Sequence, residues 1–355
     1  MSQQEMNHQQ LITDTIRRIL LDLCTKDMVA NAEQGHWPAA LWQTLEDNGL
    51  TLAGISEAAG GTGGELADSL LIIREAASVG APLPLAETFI AGRLCELAGA
   101  VMPAGPVTVA TGSFSLAASE GGFQLSGAVR DLAFGPWCTT LVLVASYAEA
   151  QHLCLVPMAD VLQADARTST NMAGEPRLDV QLDVLLPVTA VFASSEDLRH
   201  QLRFLGAATR SVMMAGAMTA MLELSVTYAM ARSQFGRPIA QFQAIQQQLA
   251  VLAGEVAACQ RAADSLDTAL LPLNELNIAI AKARIGDAVG SATDIAHQVH
   301  GAMGYTMEHT LNLRSRRLWC WRDDYGNDNH WQQAVGRLVI AAGADRLWQT
   351  VTDAA

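Results

Sequence analysis

The spacing of apolar residues changes period twice along this chain, and that change constrains the fold more than any single motif does. From about residue 8 to 100, Ile12, Ile16, Ile19 and Leu20 recur at helical spacing, as do Leu66, Leu70, Ile73 and Ala77. From about 104 to 190 the period falls to two. VTVATGSFSLAASEGGFQLSGAVRDLAF alternates small or apolar with polar residues, and LVLVASY, HLCLVPM and LDVQLDVLLPVTAVF are rich in strand formers. From about 195 onward the helical period returns in longer runs, expected over 195–233, 240–268, 273–302 and 329–353. Glycine and proline punctuate the pattern. GISEAAGGTGGE (Gly54 to Glu65) separates helices, Pro82 and Pro84 mark a helix-to-helix link, and Gly121-Gly122 signals a hairpin. The expected fold is mainly α with a middle β-domain. It comprises an N-terminal helical domain (1–103), a small β-barrel-like domain (104–192) and a C-terminal four-helix bundle (193–355).

Composition narrows the function classes. Half of the 355 residues are apolar and 16% are charged, enough to build a large core. The net charge of −14 speaks against a nucleic-acid surface, because phosphate binding needs Lys and Arg to displace counterions. A local basic pocket for a phosphate-bearing cofactor is still compatible. The opening MSQQEMNHQQLITDTIRR has no apolar run flanked by basic residues, so no signal peptide is expected. The most apolar stretch, Ser211 to Ala231, carries Glu223 between Arg210 and Arg232 and reads as a buried helix rather than a membrane insertion. The six cysteines form no Cys-x-x-Cys pair and read as reduced thiols in packing roles. A cytoplasmic location follows as the expectation.

Two segments invite a chemical reading. YAMARSQFGRPIAQFQAIQQQLA (Tyr228 to Ala250) breaks a long helix at Phe235-Gly236-Arg237-Pro238, with Arg232 just before the break. An arginine fork and an apolar ring there suit a planar anion, whereas a plain interhelical turn suits the same residues. Gln298-Val299-His300-Gly301-Ala302-Met303-Gly304 ends the next long helix. Two glycines three apart allow backbone N–H groups to approach an anion, and equally serve as a helix C-cap. Asp294, His297 and His300 also sit three apart. Steps of three drift around a helix, so a solvated face is expected there rather than a metal site.

The chain resembles the acyl-CoA dehydrogenase family over nearly its whole length. The resemblance rests on LWQTLEDNGLTLAGISEAAGGTGGE and on Tyr228-x-x-x-Arg232-x-x-Phe235-Gly236-x-Pro238-Ile239-x-x-Phe242-Gln243. It rests also on Lys282 in an Ala-rich helix followed by HQVHGAMGYTMEHTLNLRSRR. It implies FAD as cofactor, with Arg232, Phe235, Gln243, Gln298, Gly301 and Gly304 as cofactor-binding residues reaching the dinucleotide of a neighbouring subunit. It implies an acyl-CoA substrate and an electron-transfer flavoprotein or similar acceptor. The family's base is a carboxylate just before a glycine downstream of the basic helix, and here that position holds Tyr325, before Gly326. Tyrosine is a poor base at neutral pH, with an unperturbed pKa of about 10. The family's alternative base position falls near Gly206, where no carboxylate stands. The nearby acids are Asp323, Asp324, Glu223 and Glu308, of which Asp324 and Glu223 are the substitutes to consider. The family's segment lining the flavin ring is not recognisable in VTVATGSFSLAASEGGF. Together these departures resemble the short subunit of bacterial two-gene, hetero-oligomeric acyl-CoA dehydrogenases of lipid or steroid catabolism. Two alternatives stay open. One is a self-sufficient homo-oligomeric dehydrogenase with a displaced acid. The other is a flavin monooxygenase or a non-catalytic assembly subunit on the same fold.

Overall fold

The computed structural model describes residues 3–353. Five helices come first: α1 (Gln3–Leu23), α2 (Lys26–Glu33), α3 (Ala39–Asp47), α4 (Leu66–Val79) and α5 (Leu85–Ala98). The strands follow as β1 (Val107–Val109), β2 (Phe114–Ser119), β3 (Gly122–Ala133), β4 (Thr140–Tyr147), β5 (Ala150–Pro157), β6 (Arg167–Thr170), β7 (Pro176–Pro187) and β8 (Val191–Ser194). Short α6 (Met158–Gln163) lies between β5 and β6. Long α7 (Leu198–Ala231) opens the last region and ends in a miniature hairpin, β9 (Ser233–Gln234) and β10 (Arg237–Pro238). Then come α8 (Gln243–Asp264), α9 (Leu266–Ala269), α10 (Glu275–His300), α11 (Leu311–Asp323), α12 (Asp328–Ala342) and α13 (Leu347–Asp353).

Helices α7, α8 and α10 fall close to the expected runs, whereas the run expected over 329–353 is broken at Gly343, where φ is +85°, into α12 and α13. The basic segment after Gly304 is a further buried helix, α11. By compactness the chain divides into two units. One holds residues 1–72 with 82–206, the other residues 73–81 with 207–355.

In the first unit, α1 and α4 turn the predicted apolar stripes inward, with Ile16, Leu20 and Leu70 buried, and α3 and α5 add Leu45 and Ile90. The sheet is mixed and runs β6-β7-β3-β2-β4-β5-β8, with β1 also paired to β4. This hydrogen-bonded path ends at β6 and β8, so the barrel-like region does not close. Strand β4 is central and buried on both faces from Leu141 to Ala145. Strand β7 keeps the sequence alternation, with Leu178, Val180 and Leu182 inside and Gln181 and Asp183 turned outward or half out. The hairpin signal is met by β2 and β3, where Ser119 pairs with Gly122. Strands β1 and β2 run parallel to β4 in succession, with Val109 opposite Val142 and Phe114 opposite Ala145. Between the two strands Ala110 still donates its N–H to the Val142 carbonyl at 3.0 Å, and the ladder resumes at Phe114.

In the second unit, α7 contributes Val212, Met214, Ala215, Ala217, Met218 and Met221 to the interior. It is long and apolar enough to cross a membrane by length and composition, and half of its most apolar stretch is buried. Buried positions on several sides are what a central bundle helix requires. Gly216 lets α7 lie against α4, since a Cβ there would stand 2.4 Å from the Arg74 carbonyl oxygen.

Candidate functional site

All six residues that the resemblance assigns to the cofactor lie in the second unit, in two segments that meet. The first is the hairpin after α7. Arg232 donates its backbone N–H to the Tyr228 carbonyl, and Ile239 N–H donates to the Arg232 carbonyl, closing the loop on itself. Gln234 pairs with Arg237 across the hairpin, leaving Phe235 and Gly236 at the tip. Phe235 has φ +52°, a left-handed conformation that is strained for a bulky residue, and its side chain is 93% exposed. Its ring meets Phe242 edge-on at 6.2 Å, and the Arg237 guanidinium sits 4.3 Å from the Phe242 centroid. Exposing a phenylalanine on a strained backbone costs free energy twice, and such strain collects at functional sites. Arg232 and Gln243 are exposed beside it. The Gln234 amide oxygen, oriented to satisfy both groups, accepts from Arg232 Nε at 3.2 Å and Nη2 at 2.7 Å, which steers the guanidinium.

The second segment is the end of α10. A groove of about 540 Å³ there is lined by Gln248, Asp294, Ile295, His297, Gln298, Gly301 and Tyr305. Gly301 has φ +58° and nothing within 4 Å of a built Cβ, so it combines a glycine-only backbone with open approach. Gly304 differs. It is buried, and a Cβ would stand 3.0 Å from Leu311 Cδ2 and 3.1 Å from both His297 Nδ1 and His300 Cβ. Its glycine is explained by packing, and it does not line the groove.

The expected solvated face at Asp294, His297 and His300 holds for Asp294 alone. His300 is 2% exposed, stacked on Tyr228 at 4.6 Å and beside His309 at 4.6 Å. Its Nδ1–H donates to the Ala296 carbonyl at 2.7 Å, and its Nε2 is buried without a hydrogen-bond partner. Burial pushes its pKa below the usual histidine value. His297 stacks on Tyr305 at 4.3 Å, and burial, then the nearby His300, lowers its pKa too. The Tyr228–His300 stack joins the end of α7, which carries the Arg232 arm, to the end of α10, which carries Gln298 and Gly301.

The turn between α11 and α12 carries the expected base position. Tyr325 has φ +57° and is half-buried. Its carbonyl accepts from Trp331 Nε1 at 3.1 Å, and the Arg210 guanidinium lies 5.3 Å from its ring centroid. Asp324, the adjacent acid, is committed to Arg210, whose Nε donates to its Oδ2 at 2.8 Å. Arg210 is itself 3% exposed, and it follows Gly206, the alternative base position, by about one helical turn. Glu223 is exposed on α7, and Glu308 is exposed after the groove. Below the turn, fully buried Lys282 donates to the Trp321 carbonyl at 3.2 Å and the Arg322 carbonyl at 2.7 Å, capping the end of α11. The sequence reading did not assign Arg210 or Lys282 a role. A lysine inside an Ala-rich apolar helix was a usable signal for the second. The first pairs with a residue 114 positions away and has no local signature.

The residues present suit the dinucleotide part of FAD. An exposed arginine and phenylalanine stand on the hairpin after α7, and an open glycine and Gln298 lie at the groove at the end of α10. Among the described residues, none can be assigned to the flavin ring on the family pattern.

Comparison with known proteins gives the family. The acyl-CoA dehydrogenase N-terminal domain matches residues 6–99 and the acyl-CoA dehydrogenase C-terminal domain matches residues 205–322. The chain is 26% identical over 291 residues to acyl-CoA dehydrogenase IpdE2 of Mycobacterium tuberculosis, covering 81% of this chain and 83% of that protein. It is 28% identical over 339 residues to acyl-CoA dehydrogenase FadE34 of the same organism, covering 91% of this chain and 45% of that protein. Among solved structures, its fold matches the ChsE4-ChsE5 complex from Mycobacterium tuberculosis with a TM-score of 0.80 at 19% identity, covering 93% of this chain and 96% of that one. It matches the Tcur3481-Tcur3483 steroid ACAD G363A variant with a TM-score of 0.83 at 21% identity, covering 95% and 99%. Two domain matches over most of the chain, with the arm and the groove both inside the second, mean that the chain belongs to the acyl-CoA dehydrogenase family.

Proposed function

We propose that this chain is the short subunit of a hetero-oligomeric, FAD-linked acyl-CoA dehydrogenase, and that it lacks the carboxylate that abstracts the α-proton. The observation that carries the reading is the α11–α12 turn. Tyr325 stands at the base position and the adjacent Asp324 is paired to Arg210 at 2.8 Å. A carboxylate held by a guanidinium has its ionised form stabilised and is a weaker proton acceptor for it.

FAD is the cofactor of the family, and when bound it accepts the hydride that leaves the β-carbon of the acyl group. This chain's own residues would hold the dinucleotide end. Arg232 would offer its fork to the diphosphate and Phe235 an apolar face beside it. Gln243, Gln298 and the open backbone at Gly301 would line the rest, while Gly304 supports that segment from behind. The exposure of Phe235 speaks for a target outside this chain, and we take that target to be cofactor shared with a second dehydrogenase subunit. That subunit would also supply the carboxylate that takes the α-proton.

Two-component names among the fold relatives, ChsE4-ChsE5 and Tcur3481-Tcur3483, support a paired assembly. So does FadE34, in which the match fills 45% of the length and leaves room for a second segment of similar size. The steroid ACAD likeness favours a lipid or steroid acyl thioester, oxidised in the cytoplasm, with electrons passed to an electron-transfer flavoprotein or similar acceptor. The test is flavin content. The chain purified alone should be colourless or nearly so, and should gain FAD when co-expressed with an acid-bearing dehydrogenase subunit. Stoichiometric FAD in the chain alone would refute the shared-site reading.

A further inference from the structure

The chain has only two lysines, Lys26 and Lys282, against twenty arginines. Arginine stays charged at any working pH, whereas a buried lysine can lose its proton. The one lysine in the bundle interior stands where that difference matters. The Lys282 amine is fully buried and faces two carbonyls, Trp321 O and Arg322 O, at the last turn of α11. A neutral amine has two N–H bonds, one for each carbonyl, and a charged one has a third.

We propose that Lys282 is a positioning residue that works as a proton-operated latch on the Asp323–Gly326 turn. Uncharged, it caps α11 and leaves Asp324 to Arg210. Charged, it draws the Asp324 carboxylate toward its third N–H, loosens the Arg210 pair, and shifts the Tyr325 backbone that Trp331 holds. The charged groups around it set the balance. Burial brings the amine down to about 7; Asp324 raises that value, Arg210 lowers it, and Asp323 and Asp328 raise it. Asp328 is engaged by Arg322 and Asp324 by Arg210, each at 2.8 Å, and of the carboxylates Asp324 bears most strongly on the amine. The latch acts on the turn at the family's base position whether or not this chain is the catalytic member.

The small lysine count makes the test direct. In the full chain carrying Lys26→Arg, carbon-13 lysine NMR reads Lys282 alone. A midpoint near 7 is expected. Asp324→Asn should lower it and Arg210→Gln should raise it, each by about half a pH unit or more. The Trp331 indole N–H signal should move with the same midpoint, and should lose that movement in Lys282→Met. A Lys282 midpoint above about 9 overturns the latch. So does an indole signal that stays fixed while Lys282 titrates, or one that moves identically in Lys282→Met.

Discussion

Gly304→Ala separates packing from ligand contact at the groove. The added methyl would stand 3.0 Å from Leu311 Cδ2, 3.1 Å from His297 Nδ1 and 3.1 Å from His300 Cβ. Each distance is a few tenths of an ångström inside ordinary contact; Leu311 on α11 and the two histidines on α10 close in from two helices, and the His300 contact is a Cβ that no side-chain rotation moves away. Overpacking of this kind costs roughly 1–3 kcal/mol. At about 1.4 kcal/mol per tenfold, that is roughly a five- to hundred-and-fifty-fold loss in the folded-to-unfolded ratio. The assay is urea unfolding followed by near-ultraviolet circular dichroism, which reports the Tyr228–His300 and Tyr305–His297 stacks. Gly304→Ala should lower the midpoint and weaken the aromatic signal in the chain without flavin. Gly301→Ala is the control. It has no clash, so its cost is backbone strain of about 1–3 kcal/mol, with the aromatic signal kept. If Gly304→Ala unfolds within about 0.5 kcal/mol of wild type and loses only flavin binding, the packing explanation fails and Gly304 is a contact residue.

Arg232→Ala should weaken FAD retention by about 1.5–3 kcal/mol, roughly ten- to a hundredfold in Kd, if its fork meets a diphosphate in the assembled protein; unchanged flavin content would remove it from the site. Phe235→Ala should leave the unfolding midpoint of the free chain within about 0.5 kcal/mol, because the ring is 93% exposed, yet reduce flavin retention in the complex. Lys282 makes stability depend on pH. Its folded pKa of about 7 lies below the unfolded value near 10.5, so the unfolded chain holds more protons between them and stability rises with pH across that window. From about pH 6 to 9 the wild type should gain roughly 2.5 kcal/mol relative to Lys282→Met, read by denaturant titration, and parallel pH profiles would refute this.

The three-region order was legible because burial writes its period into a sequence. One-sided helices repeat near 3.6 and half-buried strands repeat at two, and both patterns survive in Ile16/Leu20 and in Leu178/Val180/Leu182. The break at Arg232–Phe235 was legible as an interrupted helix, while the exposure and backbone strain of Phe235 appear only in three dimensions. Other features depend on three-dimensional neighbours. His300 looked like a member of a solvated row, yet it is buried because Tyr228 and His309 approach from other elements. Gly304 looked like Gly301, and the side chains around it make the difference. The Arg210–Asp324 pair spans 114 residues and leaves no periodic trace. The open path of the sheet follows from its edge pairings, which composition does not encode.

The proposed subunit serves a shared cofactor without abstracting the α-proton itself. The most direct measurement is bleaching of the flavin absorbance by acyl-CoA under anaerobic conditions. It is made on the chain loaded with FAD alone, and on the chain assembled with an acid-bearing dehydrogenase subunit. Bleaching in the assembly only, lost when the partner's base is changed to its amide and kept in this chain's Asp324→Asn, is the expected result. Bleaching at catalytic rates by the isolated chain, abolished by its own Asp324→Asn or Tyr325→Phe, would contradict it.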